Sequence, residues 1–319
     1  MPMTPASLPP SRPAPSEPGS GLTWGPVVPR PRDITCRAAV LGSPIEHSLS
    51  PVLHRSAYER LGLHEWGYDR FAVGGAGEPG LREFLASRGP EWLGFSVTMP
   101  LKEDALALSI AASGHAREIG AANTLVRTDR GWIAESTDAY GALEALASGG
   151  VGENGTPPRR AVVLGSGATA RSVVDALARL SVREIVFVVR ESARPETVEL
   201  ARRRGVAVSE EPGLARGSLA ALMASAEITV STLPTGTDLG LEPAPAGMLN
   251  GRHLMDVVYG GWPTPLGRWA TAAGAHAFGG LPMLVHQAVE QVRLMTGRQA
   301  PVDAMWQAVL AHLAAQERS

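Results

Sequence analysis

One lysine and one aspartate in the first half of the chain are of the types that transfer protons, and both fall near predicted helix starts. Lys102 follows an alternating strand pattern over residues 93–98 and Pro100, a residue common in the first turn of a helix. Asp138 lies between a short predicted strand and a helix predicted from Tyr140. The helix dipole disfavours an ammonium at a helix start, which suits proton transfer by Lys102. The pattern leaves open a surface role for Lys102, and for Asp138 either helix capping or a pair with Lys102.

Four further polar side chains could bind a small polar ligand. Ser48 and Ser50 stand one residue apart just before a predicted helix, so their hydroxyls could hydrogen-bond a carboxylate or a polyol. Their spacing alone favours Ser50 as the N-cap of that helix. Asn123 ends a glycine-alanine turn, and Gln287 lies one turn into a predicted apolar helix over residues 279–297, where its amide must find partners.

A glycine-rich turn in mid-chain has the pattern of a phosphate-binding loop. Residues 161–180, AVVLGSGATARSVVDALARL, predict a buried strand, a turn and a helix. Gly165 allows the tight turn, Gly167 lets the backbone approach phosphates, and Ala170 permits close packing of helix on strand. The amides and the positive dipole end of the helix favour an anion. The segment predicts a dinucleotide site, with a glycine-rich turn without ligand as the alternative.

Two arginines follow the next predicted strand, over residues 184–189. A chain that binds NAD usually presents an acid to the ribose hydroxyls about twenty residues after its glycines. This chain has Arg190 there, with Arg194 close behind, and planar guanidinium donors suit a 2′-phosphate. Glu191 lies between them and weakens the prediction, and solvated surface charges are the alternative. NADP is therefore the predicted cofactor.

The elements that must position these residues alternate between strand and helix patterns, which predicts an α/β fold with a parallel sheet. Beyond those already named, strands are predicted at residues 37–41 and 68–73 and helices at residues 79–87 and 301–316. Apolar strands running into turns are also predicted within residues 227–236 and 253–266. The carboxyl ends of these two strands would lie beside the glycine-rich loop, where ligands bind in open parallel sheets.

The composition restricts the class of function. A chain of 319 residues predicts two domains, and the net charge of −2 gives no basic footprint for nucleic acid or an anionic membrane. A small-molecule partner is therefore expected. The single cysteine, Cys36, cannot form an internal disulfide, and no run of eighteen apolar residues occurs, so we expect a soluble, cytoplasmic protein. No His/Cys cluster has metal-ligand spacing, so no metal is expected.

The first 32 residues differ from the rest, because they contain ten prolines and few large apolar groups. They lack the charged start and apolar core of a secretory signal. We expect residues 1–32 to be a disordered, proline-rich tail.

Seven segments, in order, resemble the shikimate dehydrogenase family: GSPIEHSLSP, FSVTMPLKE, GAANT, STDAYG, LGSGATA, VVYGGWPTPL and GGLPMLVHQA. The match covers residues 37–297. The resemblance implies two α/β domains with a cleft between them. A substrate-binding catalytic domain would comprise residues 33–138, rejoined by residues 281–319, and a Rossmann-type NADP-binding domain would comprise residues 139–280.

The resemblance also implies an activity, the reversible NADPH-dependent reduction of 3-dehydroshikimate to shikimate in chorismate and aromatic amino-acid biosynthesis. Lys102 and Asp138 would be the catalytic pair at the hydroxyl that is oxidised. Six residues would bind substrate: Ser48 and Ser50 at its carboxylate with Tyr259 nearby, and Thr98, Asn123 and Gln287 at the ring hydroxyls. Eight residues would contact the cofactor: Gly165, Gly167, Ala168, Arg190, Arg194, Thr232, Gly280 and Met283.

The chain departs from the family pattern at a few positions. Ser136 stands where the family commonly has Asn, and Val189 and Glu191 replace two members of an Asn-Arg-Thr run, of which only Arg190 is retained. The alternatives are a quinate/shikimate or aminoshikimate dehydrogenase of the same family, or a non-catalytic NADP-binding sensor, which the presence of both Lys102 and Asp138 disfavours. The sequence does not set the oligomeric state, and a homodimer is the candidate assembly.

Overall fold

The first part of the chain folds around a mixed six-stranded sheet. The computed structural model describes residues 34–153, 155–213, 218–316 and 318. The strands are β1 (Cys36–Gly42), β2 (Trp66–Ala72), β3 (Trp92–Val97), β4 (Ala111–Ala112), β5 (Thr124–Thr128) and β6 (Gly131–Glu135), in the order β2-β1-β3-β5-β6-β4. Strand β1 pairs in parallel with β2 and β3, whereas β5 is antiparallel to β3 and β6. Four helices connect these strands: α1 (Ser50–Arg60), α2 (Leu81–Ala86), α3 (Lys102–Leu108) and α4 (Gly114–Ile119).

The second sheet is parallel throughout. Its strands are β7 (Arg160–Leu164), β8 (Glu184–Val189), β9 (Ala207–Pro212), β10 (Ile228–Ser231), β11 (His253–Asp256) and β12 (His276–Phe278). Its helices are α6 (Ala168–Arg179), α7 (Pro195–Arg203), α8 (Ser218–Ala224) and α9 (Pro265–Ala272). The order β9-β8-β7-β10-β11-β12 is the 3-2-1-4-5-6 order of a Rossmann fold. The order of the sheet therefore reverses between β7 and β10, where such folds bind their ligands.

Residues 161–164 of β7 show why this segment is a central strand. Ala161 and Val163 pack into one apolar cluster, while Val162 and Leu164 pack into another on the opposite face of the sheet. All four are fully buried. A strand covered by helices on both faces needs a continuous apolar run, which is what the sequence provides.

Three helices join the sheets and return the chain to the first one: α5 (Asp138–Ser148), α10 (Leu281–Thr296) and α11 (Val302–Gln316). Helix α10 packs against α5, α1, β3 and β5, and α11 packs mainly against α1. The approach of α5 to α10 depends on Gly141, because a Cβ atom there would lie 2.6 Å from the carbonyl oxygen of Met283. The close contact brings the first turn of α5 beside α10.

The predicted α/β class and Rossmann-type second sheet are confirmed. Two predicted helix starts are wrong. Pro100 is not in a helix, since α3 begins at Lys102 after a turn, and the helix predicted from Tyr140 begins at Asp138. The predicted tail, residues 1–32, lies outside the described residues, and the domain boundaries stay a prediction. Within the described ranges, no helix has the length and hydropathy needed to cross a membrane.

We expect Gly141→Ala to lower the free energy of unfolding by about 1–3 kcal/mol, the usual cost of overpacking. The added methyl group must push apart the backbones of α5 and α10. Urea unfolding would measure the change. Gly114→Ala is the matched control, because Gly114 also lies in a helix but its Cβ would enter open space. Equal stability of the two variants would contradict this account of the α5–α10 contact.

Candidate active site

Lys102 and Asp138 form an ion pair shielded from solvent. They are the first residues of α3 and α5, and Lys102 Nζ lies 2.5 Å from Asp138 Oδ2. Their side chains are only 13% and 9% exposed. Asp138 does not cap α5, whose N-cap residue is Thr137, and Lys102 is not an ordinary surface lysine. The pair places a proton donor and its carboxylate partner where water competes weakly with them.

Asn123 holds the other oxygen of Asp138. Its Nδ2 atom donates to Asp138 Oδ1 over 2.8 Å, and its Oδ1 atom accepts from the backbone amide of Thr137 over 2.8 Å. A backbone amide can only donate, so the atom that faces Thr137 must be Oδ1. Nδ2 must therefore face Asp138. The orientation of this buried amide is thus fixed by its neighbours.

Gln287 joins this group from α10. Its Oε1 atom accepts from Asn123 Nδ2 over 3.2 Å, while its Nε2 atom donates to the carbonyl of Leu284 over 2.8 Å. The side chains of Gln287 and Asn123 are both buried. Four residues singled out from the sequence, Lys102, Asp138, Asn123 and Gln287, therefore lie in one connected cluster.

Ser48, Ser50 and Tyr259 come together at the start of α1. Ser50 is the first residue of the helix, and its amide donates to Ser48 Oγ over 3.4 Å. The expectation that Ser50 caps this helix is wrong, because the N-cap residue is Leu49. Tyr259 follows β11 of the second sheet, yet its hydroxyl hydrogen-bonds the backbone of Leu49, and burial raises its pKa. The tyrosine therefore stands beside both serines.

Thr98 is linked to the cluster through the backbone. It is half-buried directly after β3, and its amide donates to the carbonyl of Leu41 over 2.9 Å. The preceding residue, Val97, donates its amide to the carbonyl of Asn123 over 2.7 Å. Thr98 is thus held at the same edge of the first sheet as Asn123.

The glycine-rich loop lies at the point where the order of the second sheet reverses. Gly165 has a φ of +95°, in the left-handed region, and its Cβ would lie 2.7 Å from Thr232 Oγ1. Thr232 follows β10 and donates to the carbonyl of Leu164 over 2.8 Å. Gly167 is the N-cap residue of α6, Ala168 is its first residue, and no side chain of the described residues caps this helix. The first amides of α6 therefore remain available to an anion, as a dinucleotide pyrophosphate requires.

The two arginines predicted to select the cofactor follow β8. Arg190 is exposed directly after the strand, and Arg194 is the N-cap residue of α7 with a side chain 57% exposed. Arg194 Nη1 lies 3.6 Å from Glu103 Oε1, an exposed pair that contributes little to stability. The same oxygen of Glu103 pairs with the buried Arg171 over 2.6 Å. Both guanidinium groups on the β8 side are thus accessible to a phosphate.

Gly280 and Met283 lie at the start of α10. Gly280 is the N-cap residue, and a Cβ atom there would collide with the carbonyl oxygen of Val257, just after β11. Met283 is buried in the apolar cluster that also contains β7 and α6 residues. These two residues therefore connect the carboxyl edge of the second sheet with the helix that carries Gln287.

Several residues of the site were not predicted. Thr169, in the first turn of α6, lies 3.4 Å from Lys102 Nζ through its Oγ1 atom and so links the pair to the second sheet. Gln291 lies one turn beyond Gln287 and contacts Asn123, and its spacing of four residues on an apolar helix was a usable signal. The composition held a signal for Lys102 itself. It is the only lysine in a chain that has 29 lysines and arginines in total.

A Rossmann-ordered sheet with a glycine turn, next to a shielded lysine–aspartate pair, defines the class of dinucleotide-binding α/β enzymes. Residues 40–125 match the family described as "Shikimate dehydrogenase substrate binding domain", and residues 280–310 match "Shikimate 5'-dehydrogenase C-terminal domain". The chain is 38% identical over 289 residues to "Shikimate dehydrogenase (NADP(+))" of Methanosarcina acetivorans, covering 86% of this chain and 98% of that protein.

Solved structures agree with this match. Shikimate dehydrogenase of Mycobacterium tuberculosis is 42% identical with a TM-score of 0.74, over 86% of this chain and 99% of that one. Shikimate 5-dehydrogenase of Thermus thermophilus, in complex with NADP(H) and shikimate, is 31% identical with a TM-score of 0.70, over 86% and 98%. The chain belongs to the shikimate dehydrogenase family, which confirms the resemblance found in its sequence.

The buried His54 behind the site predicts a dependence of stability on pH. Burial lowers the pKa of His54 from 6.5 to about 3, although a hydrogen bond to Gln291 opposes this shift. The folded protein keeps His54 neutral while the unfolded chain binds a proton below pH 6.5, so the free energy of unfolding falls as the pH drops from 6.5 towards 3. Between pH 7 and pH 5, we expect the free energy of unfolding to fall less for His54→Gln than for the wild type. The two slopes should differ by at most about 1.4 kcal/mol per pH unit.

Urea unfolding at several pH values would measure this difference. His64→Gln makes the same change at an exposed histidine and is the matched control. An identical slope for the His54 variant and the wild type would contradict the assignment of His54 as a neutral buried group.

Proposed function

We propose that the protein is an NADP-dependent shikimate dehydrogenase that reversibly reduces 3-dehydroshikimate to shikimate, a step of chorismate and aromatic amino-acid biosynthesis. The observation that carries the proposal is the shielded pair of Lys102 and Asp138, oriented by Asn123. Membership of the family supports the substrate and cofactor, since relatives that match nearly their whole length are named for shikimate and NADP(+).

The substrate would bind between two groups of polar side chains. The hydroxyls of Ser48 and Ser50 would hold its carboxylate, with Tyr259 beside them. Thr98, Asn123 and Gln287 would contact the ring hydroxyls. These contacts would orient the ring so that the carbonyl oxygen to be reduced faces Lys102.

Proton transfer falls to the ion pair. NADPH, when bound, supplies the hydride. Lys102 would give a proton to the developing alkoxide during reduction and take it back during oxidation. Asp138 would hold the Lys102 ammonium in place. It would also hydrogen-bond the substrate hydroxyl that this proton transfer forms. Because Asn123 occupies the second oxygen of Asp138, the carboxylate cannot rotate away from Lys102 without losing that bond.

The cofactor would lie along the carboxyl edge of the second sheet. Gly165, Gly167, Ala168 and Thr232 would surround its pyrophosphate at the start of α6, and Arg190 and Arg194 would bind the 2′-phosphate. Gly280 and Met283 would approach it from α10. In this proposal the substrate domain is residues 33–138 with 281–319, the cofactor domain is residues 139–280, and the enzyme acts in the cytoplasm as a homodimer.

Initial rates of the purified protein, with shikimate or quinate and with NADP+ or NAD+, test the proposal. We expect fast turnover only with shikimate and NADP+. A preference for quinate would favour the related activity, and a preference for NAD+ would show that Glu191 outweighs the two arginines. Binding of NADPH without turnover of either acid would contradict the proposal and favour a sensor.

We expect Lys102→Met to lower kcat by about 100-fold or more, the usual contribution of a positioned acid or base. The KM for shikimate should change little, because Lys102 acts on the transition state. Steady-state rates in both directions would measure this effect. A variant with near-normal kcat would remove Lys102 from the mechanism.

We expect Arg190→Ala to raise the KM for NADP+ by about tenfold or more, since a hydrogen bond to a charged group contributes about 1.5–3 kcal/mol. The KM for NAD+, which has no 2′-phosphate, should stay almost unchanged. Arg202→Ala on the exposed face of α7 removes the same charge and serves as the control. Equal effects on the two cofactors would refute the assigned role of Arg190.

A further inference from the structure

Gln291, on the far side of Asn123 from the ion pair, is fully buried and uses both ends of its amide. Its Nε2 atom donates to the carbonyl of Asn123 and to Thr124 Oγ1, both over 3.1 Å. Its Oε1 atom accepts from Ser96 Oγ over 2.7 Å and contacts His54 Nε2 over 3.4 Å. The side chain is only 1% exposed, so these partners replace water completely.

The direction of each hydrogen bond follows from its partners. The carbonyl of Asn123 can only accept, so Nε2 of Gln291 must face it and Oε1 must face Ser96. Because Gln291 donates to Thr124 Oγ1, the hydroxyl hydrogen of Thr124 is free to point to Asn123 Oδ1, 2.9 Å away. Gln291 thus holds Asn123 in two ways. It binds the main-chain carbonyl of Asn123 directly, and it acts on the side chain of Asn123 by way of Thr124.

The network continues to the other end of the proposed substrate site. Ser96 accepts from the hydroxyl of Tyr68 over 2.6 Å, and Tyr68 hydrogen-bonds Ser50 in turn. Tyr68 and Ser96 are both buried. A continuous chain of buried hydrogen bonds therefore runs from Ser50, through Gln291, to Asn123 and its partner Asp138.

We infer that Gln291 is a positioning residue for catalysis, which sets the orientation of Asn123 and through it the Lys102–Asp138 pair. The inference rests on the proposed function. If the Gln291 amide were absent, Thr124 could turn its hydroxyl to the Asn123 carbonyl, and Asn123 Oδ1 would lose one of its two strong donors. Fully satisfied buried networks hold one geometry, and partly satisfied ones do not.

Gln291→Met tests the inference, because methionine has a similar shape and cannot make these hydrogen bonds. We expect kcat for shikimate oxidation to fall on the order of 10- to 100-fold, as for a displaced catalytic group. The Kd for NADPH, measured by fluorescence or calorimetry, should not change, since the glycine-rich loop lies on the other sheet. Gln307→Met is the control, because Gln307 is exposed on α11.

Gln291→Glu adds a readout that a merely structural role would not affect. When protonated, the introduced carboxyl group can donate to the Asn123 carbonyl, whereas the ionised carboxylate places a second acceptor against it. The kcat of this variant relative to the wild type should therefore rise as the pH falls from 8 to 6. The titratable groups that face this position stay neutral over that range, because burial lowers the pKa of His54 to about 3 and raises that of Tyr68.

The outcomes separate the inference from the proposed function. Absence of turnover by the wild type would overturn the proposed function itself. With an active wild type, a Gln291→Met protein that binds NADPH normally and keeps kcat within twofold would overturn the inference. If the methionine variant does not fold, the glutamate variant decides, and a kcat ratio that is constant with pH would equally overturn it.

Discussion

The side-chain amide of Asn123 is the constraint on which the site depends. It lies between a donor that cannot move, the backbone amide of Thr137, and a carboxylate that must be oriented, Asp138. The main chain of Asn123 is bound as well, because its carbonyl accepts from Val97 and its amide donates to Glu135. Strands β3 and β6 and the start of α5 are therefore tied to one residue.

The ion pair also stands where the two sheets meet. Lys102 contacts Thr169 at the start of α6, and the neighbouring Glu103 pairs with Arg171 of the same helix. A buried ion pair contributes little to stability, since the cost of removing both charges from water offsets their attraction. The lysine–aspartate pair is therefore better explained by chemistry than by folding. Its position lets the helix that would bind the cofactor touch the residue that would move the proton.

Local sequence patterns predicted much of this architecture. The apolar run and glycines of residues 161–180 specify a strand, a turn and a helix without reference to the rest of the chain, and that unit is present. The order of strands is not local, so the reversal between β7 and β10 could not be predicted from composition or spacing. The starts of α1 and α5 carry no side-chain capping signal, because their N-cap residues, Leu49 and Thr137, contribute no side-chain hydrogen bond.

The candidate site was predicted only in part, because its residues are also far apart in the sequence. Lys102 and Asp138 are 36 residues apart, and only the tertiary structure brings them to 2.5 Å. Resemblance to a family named them, whereas spacing alone favoured capping and surface roles. The network behind Asn123 was missed because Ser96, Tyr68 and Gln291 lie on three separate elements and have no common motif. Their polarity in apolar segments was the available signal.

A double-mutant cycle on Lys102→Met and Asp138→Asn tests most directly whether the pair acts as one unit. Groups that act together lose most of their effect when either is removed, so single losses do not multiply. We expect kcat of the double variant to fall no further than that of the Lys102 variant, with NADPH binding unchanged in all three proteins. A double variant whose loss equals the product of the two single losses would contradict it.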